Sequence, residues 1–217
     1  MTHTNIMGYM QQIDLESWNR KAHFEFFKQF DEPFFGVCVN VDVTEALAWS
    51  KASKKSFFAT YLYDSLCAAN ATEPFRYRIA DNGMPVAYDA IHASPTINRL
   101  DGTFGFGYIT YSLLFDEFEA ATKREVKRVQ QSAGLELAAA DANIIHYSTL
   151  PWLSFTSLSH ARHFSFKESI PKITFGKVVE ERGRWTMPVA VHVHHALMDG
   201  SDVAKFIDSF QELLNSK

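Results

Sequence analysis

Two spacings of hydrophobic residues alternate along the chain and divide it into helices and strands. Leu15, Trp18, Ala22, Phe26 and Phe30 recur at intervals of three and four, which predicts a helix over Asp14–Phe30. Pro33 then forces an exit into a strand over Phe34–Val41. Thr44–Ala52 and Phe57–Ala69 read as two further helices. Asp81-Asn82-Gly83 marks a hairpin turn between short strands around Tyr77–Ile79 and Val86–Tyr88. Strands are expected over Ala93–Asn98, Phe104–Tyr111 and Asn143–Ser148, with a charged amphipathic helix over Phe115–Gln131. Lys172–Val179 is expected to pair with Trp185–Val193 across the polar turn Glu181-Arg182-Gly183-Arg184, ahead of an amphipathic helix over Ser201–Leu214. Strands and helices interleave without a strict β-α-β rhythm, and no repeat, low-complexity stretch or Gly/Ser linker separates them. The reading is an α/β fold, one mixed domain over residues 1–217.

Composition narrows the class. A chain of 217 residues with 47% apolar and 21% charged residues can bury a substantial core and is not disordered. The phenylalanines concentrate in Phe24–Phe30, Phe34-Phe35, Phe57-Phe58 and Phe104–Phe106, as core or as walls of an apolar pocket. A net charge of −4 without a basic block argues against general nucleic-acid binding, which needs a field of Lys and Arg to displace counterions. Cys38 and Cys67 lie in apolar sequence, no signal-peptide pattern precedes Trp18, and no apolar run approaches the length of a membrane span. The expectation is a cytoplasmic chain with free thiols and no membrane association.

The candidate chemistry sits in Val191-His192-Val193-His194-His195-Ala196-Leu197-Met198-Asp199-Gly200, where an alternating strand meets the helix over Ser201–Leu214. Alternation puts His192 and His194 on one face and His195 on the other, the way Val191 and Val193 point. Imidazole titrates near working pH, so His195 at such a junction reads as a general acid/base. Two other readings stand beside it. His195 can be a hydrogen-bonded core histidine with Asp199 as a helix-start residue. Alternatively His192, His194 and Asp199 can hold a metal, although no cysteine or further carboxylate cluster joins them and no metal is expected.

Three other stretches accompany this motif: Trp18-Asn19-Arg20-Lys21-Ala22-His23-Phe24-Glu25, Ser148-Thr149-Leu150-Pro151-Trp152-Leu153-Ser154-Phe155 and Ile173-Thr174-Phe175-Gly176-Lys177. With them the chain, from about residue 8 onward, resembles the chloramphenicol acetyltransferase family. The resemblance implies a two-layer sandwich of a mixed β-sheet with helices packed on it, as in CoA-dependent acyltransferases. It also implies a homotrimer with active sites at the subunit interfaces. The implied activity is antibiotic resistance through acetyl transfer from acetyl-CoA, a co-substrate and no permanently bound cofactor, to a hydroxyl of chloramphenicol.

By the same resemblance His195 is the general base, Ser148 the donor to the oxyanion, and Thr174 the holder of a water near the intermediate. Asp199 pairs with Arg20 to support the catalytic turn. Pro151 and Trp152 lie along the pantetheine arm and Lys177 near a phosphate; Lys54 and Lys55 fall in a segment with another basic contact, whose matched position is Ser56. The plain alternatives are a core aromatic for Trp152, a β-branched strand residue for Thr174 and a solvated charge for Arg20.

On the acceptor side Phe26, Phe27 and Phe104 keep an aromatic wall, while Phe27 and Phe58 stand where the family often has tyrosines. His160 and Arg162 replace apolar residues and His146 a small polar one. A dry arginine costs several kcal/mol without a partner, so Arg162 turns outward or the acceptor is more polar than the antibiotic. Chloramphenicol is the first acceptor and another hydroxylated or anionic small molecule the second. Two rivals share features of this reading. The acyltransferase core of 2-oxo acid dehydrogenase complexes has the fold and a His-x-x-x-Asp-Gly element, but neither a lipoyl module nor an Ala/Pro linker is expected here. A non-catalytic drug or acyl-CoA binder has no use for a base facing an oxyanion donor.

Overall fold

The computed structural model describes residues 9–135, 142–163 and 168–217. Its elements are β1 (Met10–Gln12), α1 (Lys21–Phe27), β2 (Phe34–Asp42), α2 (Thr44–Ala52), α3 (Phe57–Ala71), β3 (Tyr77–Ile79), β4 (Pro85–Tyr88) and β5 (His92–Asn98). There follow β6 (Phe104–Phe106), α4 (Phe115–Gln130), β7 (Ile144–Thr149), β8 (Lys172–Phe175), β9 (Val179–Glu181), β10 (Arg184–His194) and α5 (Gly200–Asn215).

The main sheet runs β2-β10-β8-β7-β5-β6, with β9 also on β10. Strands β5, β7 and β8 are mutually parallel, while β10 lies antiparallel to β2, β8 and β9. A smaller sheet, β1-β4-β3, contains the hairpin whose turn the sequence placed at Asp81-Asn82-Gly83. Fully buried Arg78 on β3 donates to the carbonyls of Phe75, Tyr77, Ala142 and Ile144 and so ties this sheet to the start of β7. Burial pushes its guanidinium down to about 9, and the four carbonyls compensate the desolvated cation.

Helices cover one face of the main sheet. Phe206, Phe210 and Leu214 of α5 pack with Leu62 and Leu66 of α3 against Val189, Val191, Val193, Ile173 and Tyr147. Each of those strand residues points to the helix layer, so their alternate neighbours point to the opposite face. There the register sets Gly36, His192, Lys172 and His146 in one row across β2, β10, β8 and β7. Two residues further along the strands, Cys38, Ala190, Thr174 and Ser148 form a second row. Parallel β7 and β8 need a long crossover, and the stretch after β7 lies on this second face, its Leu158 carbonyl meeting His192.

The structure shortens three expected elements. Only Lys21–Phe27 of the stretch 14–30 is α-helical. Asp14 accepts from the Glu16 amide at 3.1 Å and the Ser17 hydroxyl at 2.8 Å, a local turn that competes with a helical start. The strand expected over Lys172–Val179 breaks after Phe175 into β8 and β9. A Cβ on Gly176 would stand 2.5 Å from Pro188 Cγ and 2.9 Å from the Leu153 carbonyl, so the chain closes on the sheet at that residue. The stretch expected over Phe104–Tyr111 keeps only β6 and a bridge from Ala93 to Ile109. Among the described residues no helix is long and apolar enough to cross a membrane.

Candidate active site

Strand β10 ends at His194, and the chain turns through Ala196–Met198 into α5. The start of α5 is held by the Asp202 carboxylate, which accepts from the Asp199 amide at 3.1 Å. The Asp199 carboxylate meets Arg20 instead: Nη1 donates to Oδ2, and Nη2 reaches Oδ1 at 2.8 Å. The same guanidinium donates to the carbonyls of His195 at 2.5 Å and Ala196 at 3.1 Å. One planar fork thus grips both ends of the turn, a geometry lysine does not offer. The Arg20 contact holds the Asp199 carboxyl below the usual carboxylate range.

His195 sits inside this clamp. Its amide donates to Pro33 and its ring stacks on Phe27 at 4.0 Å, with Phe35 at 4.7 Å. Nδ1 lies 3.3 Å from the Met198 carbonyl and 3.2 Å from Asp199 Oδ1. With Nδ1 facing two acceptors the proton belongs there, which leaves the Nε2 lone pair open. The side chain keeps 34% exposure, so the ring is neither a sealed core residue nor a free surface one.

Ser148 and Thr174 are paired neighbours on the opposite face of the sheet. Ala190, the β10 partner of Thr174, precedes His195 by five positions, about 17 Å of extended chain, and Ser148 lies two strands across, about 10 Å. A single chain therefore keeps His195 and Ser148 apart. The expected acceptor wall divides the same way. Phe26 and Phe27 cluster near His195, His146 and His160 lie on the opposite face, and the ring contact of Phe104 is with Phe106 on β6. Phe26 and Phe104 are exposed, and so is Trp152 at 64%, which removes the reading of Trp152 as a core aromatic. Pro151 and Lys177 are also exposed, Lys177 with its amide on the Leu153 carbonyl. Ser56 caps α3, accepting from the Ala59 amide, while Lys55 pairs with Asp116 and Glu119.

On the second face a cavity of about 250 Å³ opens between the sheet and the residue 159–162 stretch. Phe34, Gly36, Lys172 and His192 come from the strands and His160 and Arg162 from the covering stretch. Arg162 lies over the Phe34 ring at 3.7 Å and donates to Glu32 at 2.6 Å; Lys172 pairs with Glu168 at 2.5 Å. His160 Nε2 is 3.4 Å from the Thr174 hydroxyl, and its ring meets that of His192 edge-on at 4.8 Å. His192 donates from Nε2 to the Leu158 carbonyl, its ring lying where a Cβ on Gly36 would stand 2.5 Å away. Burial, with help from nearby cations, pushes His146, His160 and His194 down to about 4 and lowers His192. These imidazoles are neutral at working pH.

The metal reading loses its donors. His194 accepts from the Ala196 amide at Nδ1, Asp199 is held by Arg20, and the described residues contain no His/Cys/Asp/Glu group able to hold an ion. The cavity was not legible as a unit in the sequence. Lys172 registered only as a strand residue and Glu32 not at all, because their meeting depends on strand pairing and on the covering stretch.

A family model described as chloramphenicol acetyltransferase matches residues 7–211. The chain is similar to a chloramphenicol acetyltransferase of Campylobacter coli, 26% identical over 94% of this chain and 98% of that one. It is also similar to chloramphenicol acetyltransferase 3 of Escherichia coli, 29% identical over 97% and 99% of the two chains. A solved chloramphenicol acetyltransferase superposes with a TM-score of 0.88 at 32% identity, over 95% of this chain and all of that one. The dihydrolipoamide acetyltransferase of Azotobacter vinelandii shares the fold, with a TM-score of 0.67 at 17% identity over 90% and 86% of the chains.

Proposed function

The chain belongs to the chloramphenicol acetyltransferase family, and from that membership we propose that it is an acyltransferase moving the acetyl group of acetyl-CoA to a hydroxyl of chloramphenicol. His195 Nε2 takes the hydroxyl proton while the oxygen attacks the thioester carbonyl directly in a ternary complex, without a covalent acyl-enzyme. The Ser148 hydroxyl donates to the oxyanion, and Thr174 holds a water near it. The C–S bond then breaks, and the proton on His195 passes to the CoA sulfur. Asp199 and Arg20 fix the imidazole's position and leave its basicity to Nε2. Pro151, Trp152 and Lys177 serve the CoA arm and phosphate from an exposed edge.

The observation that carries this reading is the clamped turn, in which Arg20, Asp199 and the Met198 carbonyl all orient one half-exposed imidazole. The separation of His195 from Ser148 supports assembly into a homotrimer whose sites take the base from one copy and the oxyanion donor from another. Release of free CoA thiol from acetyl-CoA, with and without chloramphenicol, tests the proposal alongside His195→Ala. Chloramphenicol-dependent release that disappears in the variant is the expected result. Binding of acetyl-CoA and drug without turnover in the parent protein would instead make it a sequestering protein.

A further inference from the structure

The cavity on the second face has an arrangement of charge that an antibiotic pocket does not require. Its two cations are more buried than their counterions: Arg162 is 15% exposed against 49% for Glu32, which also lines the cavity, and Lys172 is 12% exposed against 27% for Glu168. Each cation is thus the more buried, less screened member of its pair. Arg162 spends one nitrogen on Glu32 and stacks its plane on Phe34, which fixes the guanidinium across the opening. His160 adds a neutral imidazole, whereas the His192 N–H is spent on the Leu158 carbonyl.

Distance along the sheet adds a second constraint. Lys172 precedes Thr174 by two positions on β8, about 7 Å, and Thr174 shares its row with Ser148. His160 spans the interval, touching Thr174 from the covering stretch while lining the cavity.

We propose that this cavity receives the carboxylate of the acyl acceptor, so that the chain favours hydroxylated carboxylic acids, with hydroxyl and carboxylate about 7 Å apart, over neutral alcohols. The placement of the hydroxyl rests on the acetyl-transfer reading above; the anion site does not. In the step itself the acceptor O–H proton goes to His195, the oxygen bonds to the acetyl carbon, the C–S bond breaks, and CoA leaves as the thiol. The carboxylate is unchanged and serves to anchor.

A matched pair of acceptors tests this: 4-(hydroxymethyl)benzoate, whose two groups stand at about the required span, and its methyl ester, which keeps shape and hydroxyl but loses the charge. CoA-thiol release should give a kcat/KM for the acid at least about tenfold above that for the ester, as expected for a charge-assisted contact. Arg162→Gln and Lys172→Gln should each bring that ratio toward one, and either folded variant suffices. An equal or ester-favouring ratio in the parent protein, or a ratio that survives in the variants, overturns the proposal. If no acceptor, chloramphenicol included, releases thiol, the acetyl-transfer reading fails on its own, and calorimetric binding of the same pair decides the anion site. Tighter binding of the benzoate that Arg162→Gln abolishes would uphold it, and equal binding would sink it.

Discussion

His194 and His195 are adjacent in sequence and belong to different regions of the molecule. His194 lies on the second face at 5% exposure, its ring edge-on to Phe34 and its Nδ1 committed to the Ala196 amide. Burial, Arg162 and His195 push it down to about 4, which makes it a neutral hydrogen-bonding wedge. His195 turns to the helix side, stacks on Phe27 and Phe35, and has Nδ1 occupied by groups that leave Nε2 open. The residue type is the same; the partner at Nδ1 and the depth of burial differ. One face carries an imidazole held by a charged clamp, and the other carries a cavity lined by Arg162, Lys172 and Glu32 beside Ser148 and Thr174.

Several variants sharpen or break that contrast. His195→Ala should lower the rate of chloramphenicol-dependent thiol release by about 10³-fold or more, whereas His194→Asn should retain most of it. Comparable losses would mean that the two histidines are not functionally distinct. Ser148→Ala should cost about 10²-fold in kcat as a lost oxyanion donor. Co-refolding equal amounts of the His195→Ala and Ser148→Ala chains should then restore about a quarter of the parent activity, since random assembly gives that share of interfaces both intact groups. No recovery would place base and donor within one chain and contradict their separation. Arg20→Lys should lower kcat by about tenfold, because an ammonium cannot reproduce the fork that positions His195.

The smallest effect concerns pH. His146, His160 and His194 are held near 4 in the folded chain and titrate near 6.5 when unfolded, so over that interval the unfolded state binds more protons. Stability is therefore fully present above about pH 6.5 and is lost as pH falls from there toward 4. Thermal unfolding followed across this window should show the midpoint dropping with acid, and His146→Gln should flatten the slope by about a few °C in Tm. An unchanged slope would remove burial of that imidazole as a cause.

Much of the scaffold was legible from spacing alone. Helix Thr44–Ala52, the hairpin at Asp81-Asn82-Gly83, and the strand ending in the histidine motif follow from local periodicity and turn chemistry, and they appear where expected. Facing was legible too, since two-residue alternation separates His195 from His192 and His194. Strand pairing was not. That His146, Lys172, His192 and Gly36 form one row depends on the order of four strands far apart in the chain, and nothing local encodes that order. The first helix was overread because Phe26 and Phe30 continue the apolar spacing without burying that surface in the chain: they are 59% and 45% exposed.

Gly36 turns the cavity into a matter of paired inheritance. The His192 ring occupies the space that a side chain at position 36 would need, and the Leu158 carbonyl anchors the ring there. Alanine at 36 would push the imidazole off its carbonyl and into the opening between Lys172 and Arg162. A related chain with any larger residue at 36 must therefore carry a smaller or reoriented one at 192, and the two sites are expected to vary together or not at all. Drift at one position would alter what the other face of the molecule can hold without touching the clamped turn.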